Sequence, residues 1–213
     1  MSSDDDRHLT TTSYAMLGLL ATRPWATYEL TKQMRRSLHH VWPRAESNVY
    51  AEAKRLVAAG LVTTETRRTG KRARTIYTIT PAGLAALRRW LGGASGPDRL
   101  ESETMLKVLF ANHGTKAELL ANLRHYAAAA EAARAFWQEL AAEYLRGERP
   151  FPERVHINAL FFRWKWQQIE TDARWARWAI AEVESWPDTT APADPAATLA
   201  PFRAALEPAP GPG

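Results

Sequence analysis

Gly60-Leu-Val-Thr-Thr-Glu-Thr-Arg-Arg-Thr-Gly-Lys-Arg-Ala-Arg-Thr-Ile-Tyr-Thr-Ile-Thr80-Pro81 is where the hydrophobic period of the chain changes from 3.6 to 2. Leu61 to Arg67 and Arg74 to Thr80 are short and rich in Thr, Val, Ile and Tyr, and Arg68-Thr-Gly-Lys-Arg-Ala73 separates them. The pair reads as a β-hairpin with a glycine in its tip. Gly60 is placed to stop a preceding helix in a left-handed conformation. Thr80-Pro81 opens a following one, with Thr80 as cap, Pro81 as first residue, and Leu84, Leu87 and Leu91 on one face.

Three helical segments precede the hairpin. Thr11 or Thr12 can cap a first helix whose Tyr14, Leu17, Leu20 and Ala21 share a face, and it ends near Pro24. A second runs from about Thr27 to His40, with Leu30 and Met34 inward and Lys32, Arg35 and Arg36 outward. Pro43 starts a third, whose buried stripe is Val49, Ala53, Leu56 and Val57, up to Ala59. Three helices, a two-stranded β-wing and a fourth helix make a winged helix-turn-helix order.

Beyond the hairpin, Gly92-Gly-Ala-Ser-Gly-Pro97 is a run of linker residues. A short helix is expected from Leu100 to Ala111. Leu119, Leu123, Tyr126, Ala130, Ala133, Trp137, Leu140 and Tyr144 then step by 4, 3, 4, 3, 4, 3, 4, a heptad seam that Gly147, Pro150 and Pro152 end. Phe162, Trp166, Ile169, Ala173, Ala176, Ile180 and Val183 repeat the pattern, so two long helices should pair antiparallel. Ile157, Leu160, Phe161, Trp164, Trp175 and Trp178 form a second apolar stripe on the last helix. One partner helix cannot cover both stripes, so a second copy of the chain is expected to supply the rest of the cover. The other source of cover is the same chain folding back, with the short helix contributing. Residues 187–213 hold seven prolines and read as a disordered tail. The expected division is a disordered 1–9, a winged-helix domain at 10–92, a mainly α, long-helix dimerisation domain at 98–186, and the tail.

The charges divide along the same boundary. Of 28 Lys and Arg and 23 Asp and Glu, residues 1–92 carry 15 against 7, a net of +8, and residues 93–213 carry 13 against 16, a net of −3. A basic half suits a polyanion that the other half does not bind. The chain has no cysteine, which excludes disulfides and thiolate chemistry and fits a reducing compartment. The acidic start Met1-Ser-Ser-Asp-Asp-Asp-Arg7 lacks the layout of a signal peptide. Tyr14 to Ala21, the longest apolar stretch, falls short of half a membrane span, and no membrane association is expected. His8, His39, His40, His113, His125 and His156 include no metal-binding helical pair with a third ligand nearby, and neither a phosphate loop nor a nucleophile elbow is present. Neither an enzyme, a metal nor a cofactor is expected.

Double-stranded DNA is the partner these features suggest. A helix that enters a major groove needs small polar and basic residues on its outer face, flanked by cations for phosphate. On the third helix Arg44, Ser47, Asn48, Ala51, Lys54 and Arg55 lie away from the apolar stripe, with Tyr50 at its border. Ser47 and Asn48 suit base edges, and Lys54, Arg55 and the Tyr50 hydroxyl suit phosphates. Arg67, Arg68, Lys71, Arg72 and Arg74 put five cations in eight residues of the hairpin, whose mutual repulsion a polyanion would relieve.

Ser13-Tyr-Ala-Met-Leu-Gly-Leu-Leu20, Tyr28-Glu-Leu30, Asn48-Val-Tyr50, Lys54-Arg-Leu56, Gly60-Leu-Val62, Gly70-Lys-Arg72 and Tyr77-Thr-Ile-Thr80, with Gly83 and Leu87, resemble in order and spacing the PadR-family transcriptional regulators. The resemblance covers about residues 12 to 92, and the remainder is similar to the dimerisation region of the larger PadR subfamily. It implies a homodimeric, cytoplasmic, nucleoid-associated repressor that binds an inverted-repeat operator and is released by a small aromatic or hydrophobic effector. Tyr50 and Lys54 would then sit on the DNA. Thr27 stands where the family often has glycine, and Ala51 where it often has proline. Dimerisation is assigned to Ile157, Phe161, Phe162, Trp164, Trp166, Ile169, Trp175 and Trp178, and effector contact to Trp137, Trp164 and Trp175, although aromatic stripes of this kind also serve as core. The alternative function is an architectural DNA-binding or protein-interaction module without an effector.

Overall fold

A computed structural model of the chain describes residues 9–38, 40–42, 49–69, 72–98, 100–149 and 151–206. These fall into two compact units, Met1–Asp98 and Arg99–Gly213.

In the first unit, α1 (Thr11–Leu20) is capped by Thr10 and not by the threonines that follow it. Ser13 decides the cap: the Thr10 side chain accepts from Ser13 N–H at 3.2 Å while Ser13 Oγ accepts from Thr10 N–H at 2.9 Å, a reciprocal capping box. α1 buries Met16, Leu17, Leu19 and Leu20, while Tyr14 lies at the edge and stacks on Trp90, ring centroids 5.0 Å apart. A two-residue strand, β1 (Trp25–Ala26), leads into α2 (Thr27–Gln33), which continues as a π-helical turn over Met34–Leu38. The described part of the third helix is α3 (Val49–Ala58), and its expected start at Pro43 lies outside the described residues. α3 ends as expected at Gly60, with φ +69°, where Leu61 N–H donates to Leu56 C=O and Gly60 N–H to Val57 C=O, both at 3.0 Å. These two bonds satisfy carbonyls that the helix end leaves open, and the left-handed residue between them has to be glycine or be strained.

The hairpin is β2 (Val62–Thr69) and β3 (Arg72–Ile79), paired antiparallel from Val62↔Ile79 to Thr69↔Arg72. Arg68 and Ala73, expected in the tip, are a ladder pair, which leaves only Gly70 and Lys71 between the strands. The ladder is made by the backbone, so the exposed charged side chains of Arg67, Arg68 and Arg74 do not end it early. The wing is also part of a three-stranded sheet in the order β1-β3-β2, because Trp25 pairs with Tyr77 and Ala26 with Ile76. α4 (Pro81–Leu91) follows, with Thr80 accepting from Gly83 N–H at 3.1 Å and donating to Gly60 C=O at 2.9 Å. A Cβ at Gly83 would stand 2.2 Å from the Leu61 carbonyl oxygen, so α4 approaches the start of β2 as closely as only glycine allows.

The second unit begins with α5 (Glu103–Leu109), shorter than expected and capped by Ser102. α6 (Lys116–Leu145) and α7 (Val155–Ser185) are the two long helices, each about 45 Å long. Their antiparallel register is written in cross-links: Arg124 to Glu184 at 2.8 Å, Arg177 to Glu131 at 3.1 Å, Arg134 to Glu170 at 3.0 Å, and Asn158 Nδ2 to Tyr144 Oη at 3.0 Å. Rising numbers on one helix meet falling numbers on the other. Leu119, Leu123, Ala130 and Trp137 of one seam and Ile169, Ala173, Ala176 and Val183 of the other are buried between them. Val108, Ala111 and Trp175 close over the end formed by Leu119, Leu120, Leu123, Ala179 and Val183. In the segment expected to be disordered, Ala197–Leu199 and α8 (Ala200–Ala204) are short helical turns. Asp194 starts them, its side chain accepting from Ala196 N–H at 2.8 Å and its carbonyl from Thr198 Oγ1 at 3.0 Å.

Candidate nucleic-acid interface

α3 sorts its residues by angle. Val49, Glu52, Ala53 and Leu56 are buried, whereas Ala51, Lys54 and Tyr50 are exposed, Tyr50 by 62 %. Tyr50 and Lys54 stand one turn apart on the outer face, and Lys54 has no ion-pair partner among the described residues. Arg44, Ser47 and Asn48, the three residues expected to lead into this face, lie outside the described residues.

Arg55 is exposed in part but is not open. Its Nη2 donates to Oε2 of Glu52, while Oε1 of the same carboxylate accepts from the Ser13 hydroxyl of α1. Glu52 and Ser13 are both buried, with Glu52 at 5 % exposure. The sequence reading missed this carboxylate. The signal was there: position 52 completes the stripe 49, 52, 53, 56, and an acidic residue on a buried stripe requires partners.

On the hairpin the register puts Arg67 opposite Arg74 on one face and Arg68, opposite Ala73, on the other. The like charges of Arg67 and Arg74 would repel directly across the ladder, and Glu65 relieves this by accepting from Arg67 Nε and Nη2, both at 3.1 Å. That hydrogen bond, with the Coulombic attraction behind it, makes Arg67 hold its proton more tightly than an ordinary arginine. Arg68 and Arg74 are exposed and make no ion pair among the described residues. Lys71 and the side chain of Arg72 lie outside them. The wing is therefore cationic on two faces and not a single row.

The aromatic residues of the second unit divide into core and surface. Trp137 is 3 % exposed and packs on Phe161 and Phe162 at 5.9 and 5.5 Å between centroids. Trp164 stacks on Phe161 at 5.8 Å and Trp166 on Phe162 at 6.2 Å. Trp175 meets Tyr126 edge-on at 5.7 Å, and burial with the Asp172 carboxylate pushes the Tyr126 phenol up to about 12. Of the residues assigned to dimerisation, Ile169 is buried against α6, Phe161, Phe162, Trp166 and Trp175 are half-buried, and Ile157, Trp164 and Trp178 are exposed. Trp137 and Trp164 are linked through Phe161, whereas Trp175 lies three turns from Trp164 along α7, about 16 Å away. Among the described residues no three His, Asp or Glu side chains are grouped to hold a metal, and no helix is long and apolar enough to cross a membrane.

Residues 16–89 match the family described as the transcriptional regulator PadR-like family. The chain is 33 % identical over 99 residues to the negative transcriptional regulator PadR of Bacillus subtilis, an alignment covering 46 % of this chain and 54 % of that protein. It thus spans about half the length of that curated relative. Its fold is similar to the crystal structure of Bacillus subtilis PadR in complex with operator DNA, with TM-score 0.71 at 22 % identity over 82 % of this chain and 99 % of the other. It is similar also to the same regulator in complex with p-coumaric acid, with TM-score 0.66 at 23 % identity over 82 % and 99 %.

Proposed function

We infer that this chain, which carries a transcriptional regulator PadR-like domain over residues 16–89, is a sequence-specific DNA-binding repressor that acts as a homodimer on an inverted-repeat operator in the cytoplasm. The observation that carries the reading is the pairing of two exposed cationic elements in one small unit: α3, with Tyr50 and Lys54 outward over a buried stripe, and a hairpin whose Arg68 and Arg74 have no ion pair among the described residues. In this reading Arg44, Ser47 and Asn48 lead the helix into the major groove, Asn48 and Ser47 meet base edges, and Lys54, Arg67, Arg68, Lys71, Arg72 and Arg74 meet phosphates. The exposed Ile157, Leu160, Trp164 and Trp178 on α7 support the second copy of the chain as partner. The effector is a small aromatic or hydrophobic molecule, and the solved relative bound to p-coumaric acid supports that class.

Genomic fragments selected by the purified protein, beginning upstream of its own gene, test the reading. An operator bound at least ~10³-fold more tightly than random duplex at physiological salt is the expected result. If about eight of the twelve named cations of the dimer each neutralise a phosphate at once, the logarithm of its affinity should fall with the logarithm of salt at a slope near −7. Equal affinity for operator and random duplex would favour an architectural module instead.

A further inference from the structure

We propose that Glu52 is a positioning residue that holds Arg55 back from duplex phosphate, so that α3 presents Lys54 to the DNA backbone and Arg55 to its own helix. This rests on the DNA-reading function proposed above. Glu52 is 5 % exposed, and both carboxylate oxygens are engaged, one by the Ser13 hydroxyl and one by the Arg55 guanidinium. Ser13 is itself fixed, because its Oγ also accepts from Thr10 N–H at 2.9 Å in the α1 cap. The Arg55 side chain is 46 % exposed, so a phosphate could reach it, but only by leaving a buried carboxylate without its cation. Breaking a buried pair from one side is strongly unfavourable, since the remaining charge stays desolvated. Lys54, one residue earlier and on the outer face, meets no such obstacle.

Two consequences follow for recognition. The cation count of α3 overstates its share of phosphate binding by one. The hydrogen bond across 39 residues from Ser13 also ties the reading helix to α1, so the carboxylate that neutralises Arg55 also sets the angle of the face carrying Tyr50 and Lys54.

Glu52→Gln keeps the size of the side chain and an acceptor for Ser13, and removes the charge that holds Arg55. Titration of random duplex against salt should then steepen by about 0.9 in log–log slope for each reading helix, one extra phosphate neutralised apiece. Adding Arg55→Ala to that variant should return the slope to the parent value. In the parent chain labelled with ¹⁵N, duplex should move the guanidinium resonances of Arg68 and Arg74 and leave those of Arg55 in place, a measurement that needs no variant to fold. An unchanged slope in a folded Glu52→Gln chain, a steepened slope that survives Arg55→Ala, or an Arg55 resonance that moves with the wing arginines would overturn the assignment. A slope that stays parental while only the melting temperature falls would make Glu52 a packing residue and nothing more. A parent chain that binds no duplex at any salt removes the DNA-reading function itself, and this assignment with it, before any variant is compared.

Discussion

In residues 99–213 four arginines are answered by carboxylates of the same unit: Arg124 meets Glu184, Arg134 meets Glu170, Arg177 meets Glu131, and Arg146 reaches both Glu139 and Glu148. In the winged unit Lys54, Arg68 and Arg74 have no such partner among the described residues, and the one buried carboxylate of α3 is taken by Arg55 and Ser13. The same residue types thus do different work. On a pair of long helices, opposite charges flanking a heptad seam fix which turn meets which. On a short ribbon, like charges left open raise the local potential toward a polyanion. The apolar surfaces invert the pattern, since large apolar side chains stay exposed mainly on the second unit, among them Leu109, Phe110, Leu160 and Trp178.

The largest test of this contrast falls on the seam. Trp137→Ala removes a side chain that is 3 % exposed and packed on two phenylalanines, and should lower stability by about 3–5 kcal/mol in urea titration. A loss below about 1 kcal/mol would mean that the α6–α7 seam is loosely packed. Next comes a buried side-chain link between α1 and α3 of the winged unit. Ser13→Ala takes a donor from Glu52 and opens the α1 capping box, for an expected loss of about 1–3 kcal/mol by the same measurement.

Much of the fold was legible because its signals are local. Gly60, Thr80-Pro81 and the alternation of Thr, Val, Ile and Tyr each act within a few residues, and the heptads of α6 and α7 repeat often enough to outweigh exceptions. What escaped depends on distant partners. β1 is two residues long, too short for any period, and exists because β3 offers Tyr77 and Ile76 as an edge. The strands run through Arg68 and Ala73 because backbone pairing tolerates charge where the sheet is solvated. Glu52 is buried only because Ser13 comes to meet it from α1. Of the candidate interface, the outward face of α3 and the basic wing could be read directly, whereas the capture of Arg55 could not.

Smaller effects sharpen the comparison. Tyr126 is neutral in the folded chain well past the ordinary phenol value of 10.0, up to about 12, because it is half-buried and hydrogen-bonded to Asp172. A raised value means the folded state holds the proton more tightly. The stability it adds is therefore complete below pH 10 and is lost as pH climbs toward 12. Tyr126→Phe should flatten that alkaline decline in a pH series of thermal melts, and an unchanged decline would assign it to other groups. Smallest of all, Arg177→Ala should cost no more than about 0.5 kcal/mol, since the pair with Glu131 is exposed and sets register more than stability. A loss of several kcal/mol in urea titration would show instead that this link carries the helix pair.

Duplex affinity measured against salt for two matched variants separates the roles of the two units most directly. Arg68→Ala with Arg74→Ala removes two open cations from the wing, and Arg124→Ala with Arg177→Ala removes two paired cations from the long helices. The expected result is a slope flattened by about 0.9 for each phosphate that the wing variant no longer neutralises, and a parental slope in the other. Equal slopes in both, or a flattening confined to the long-helix variant, would contradict the assignment of DNA to the winged unit.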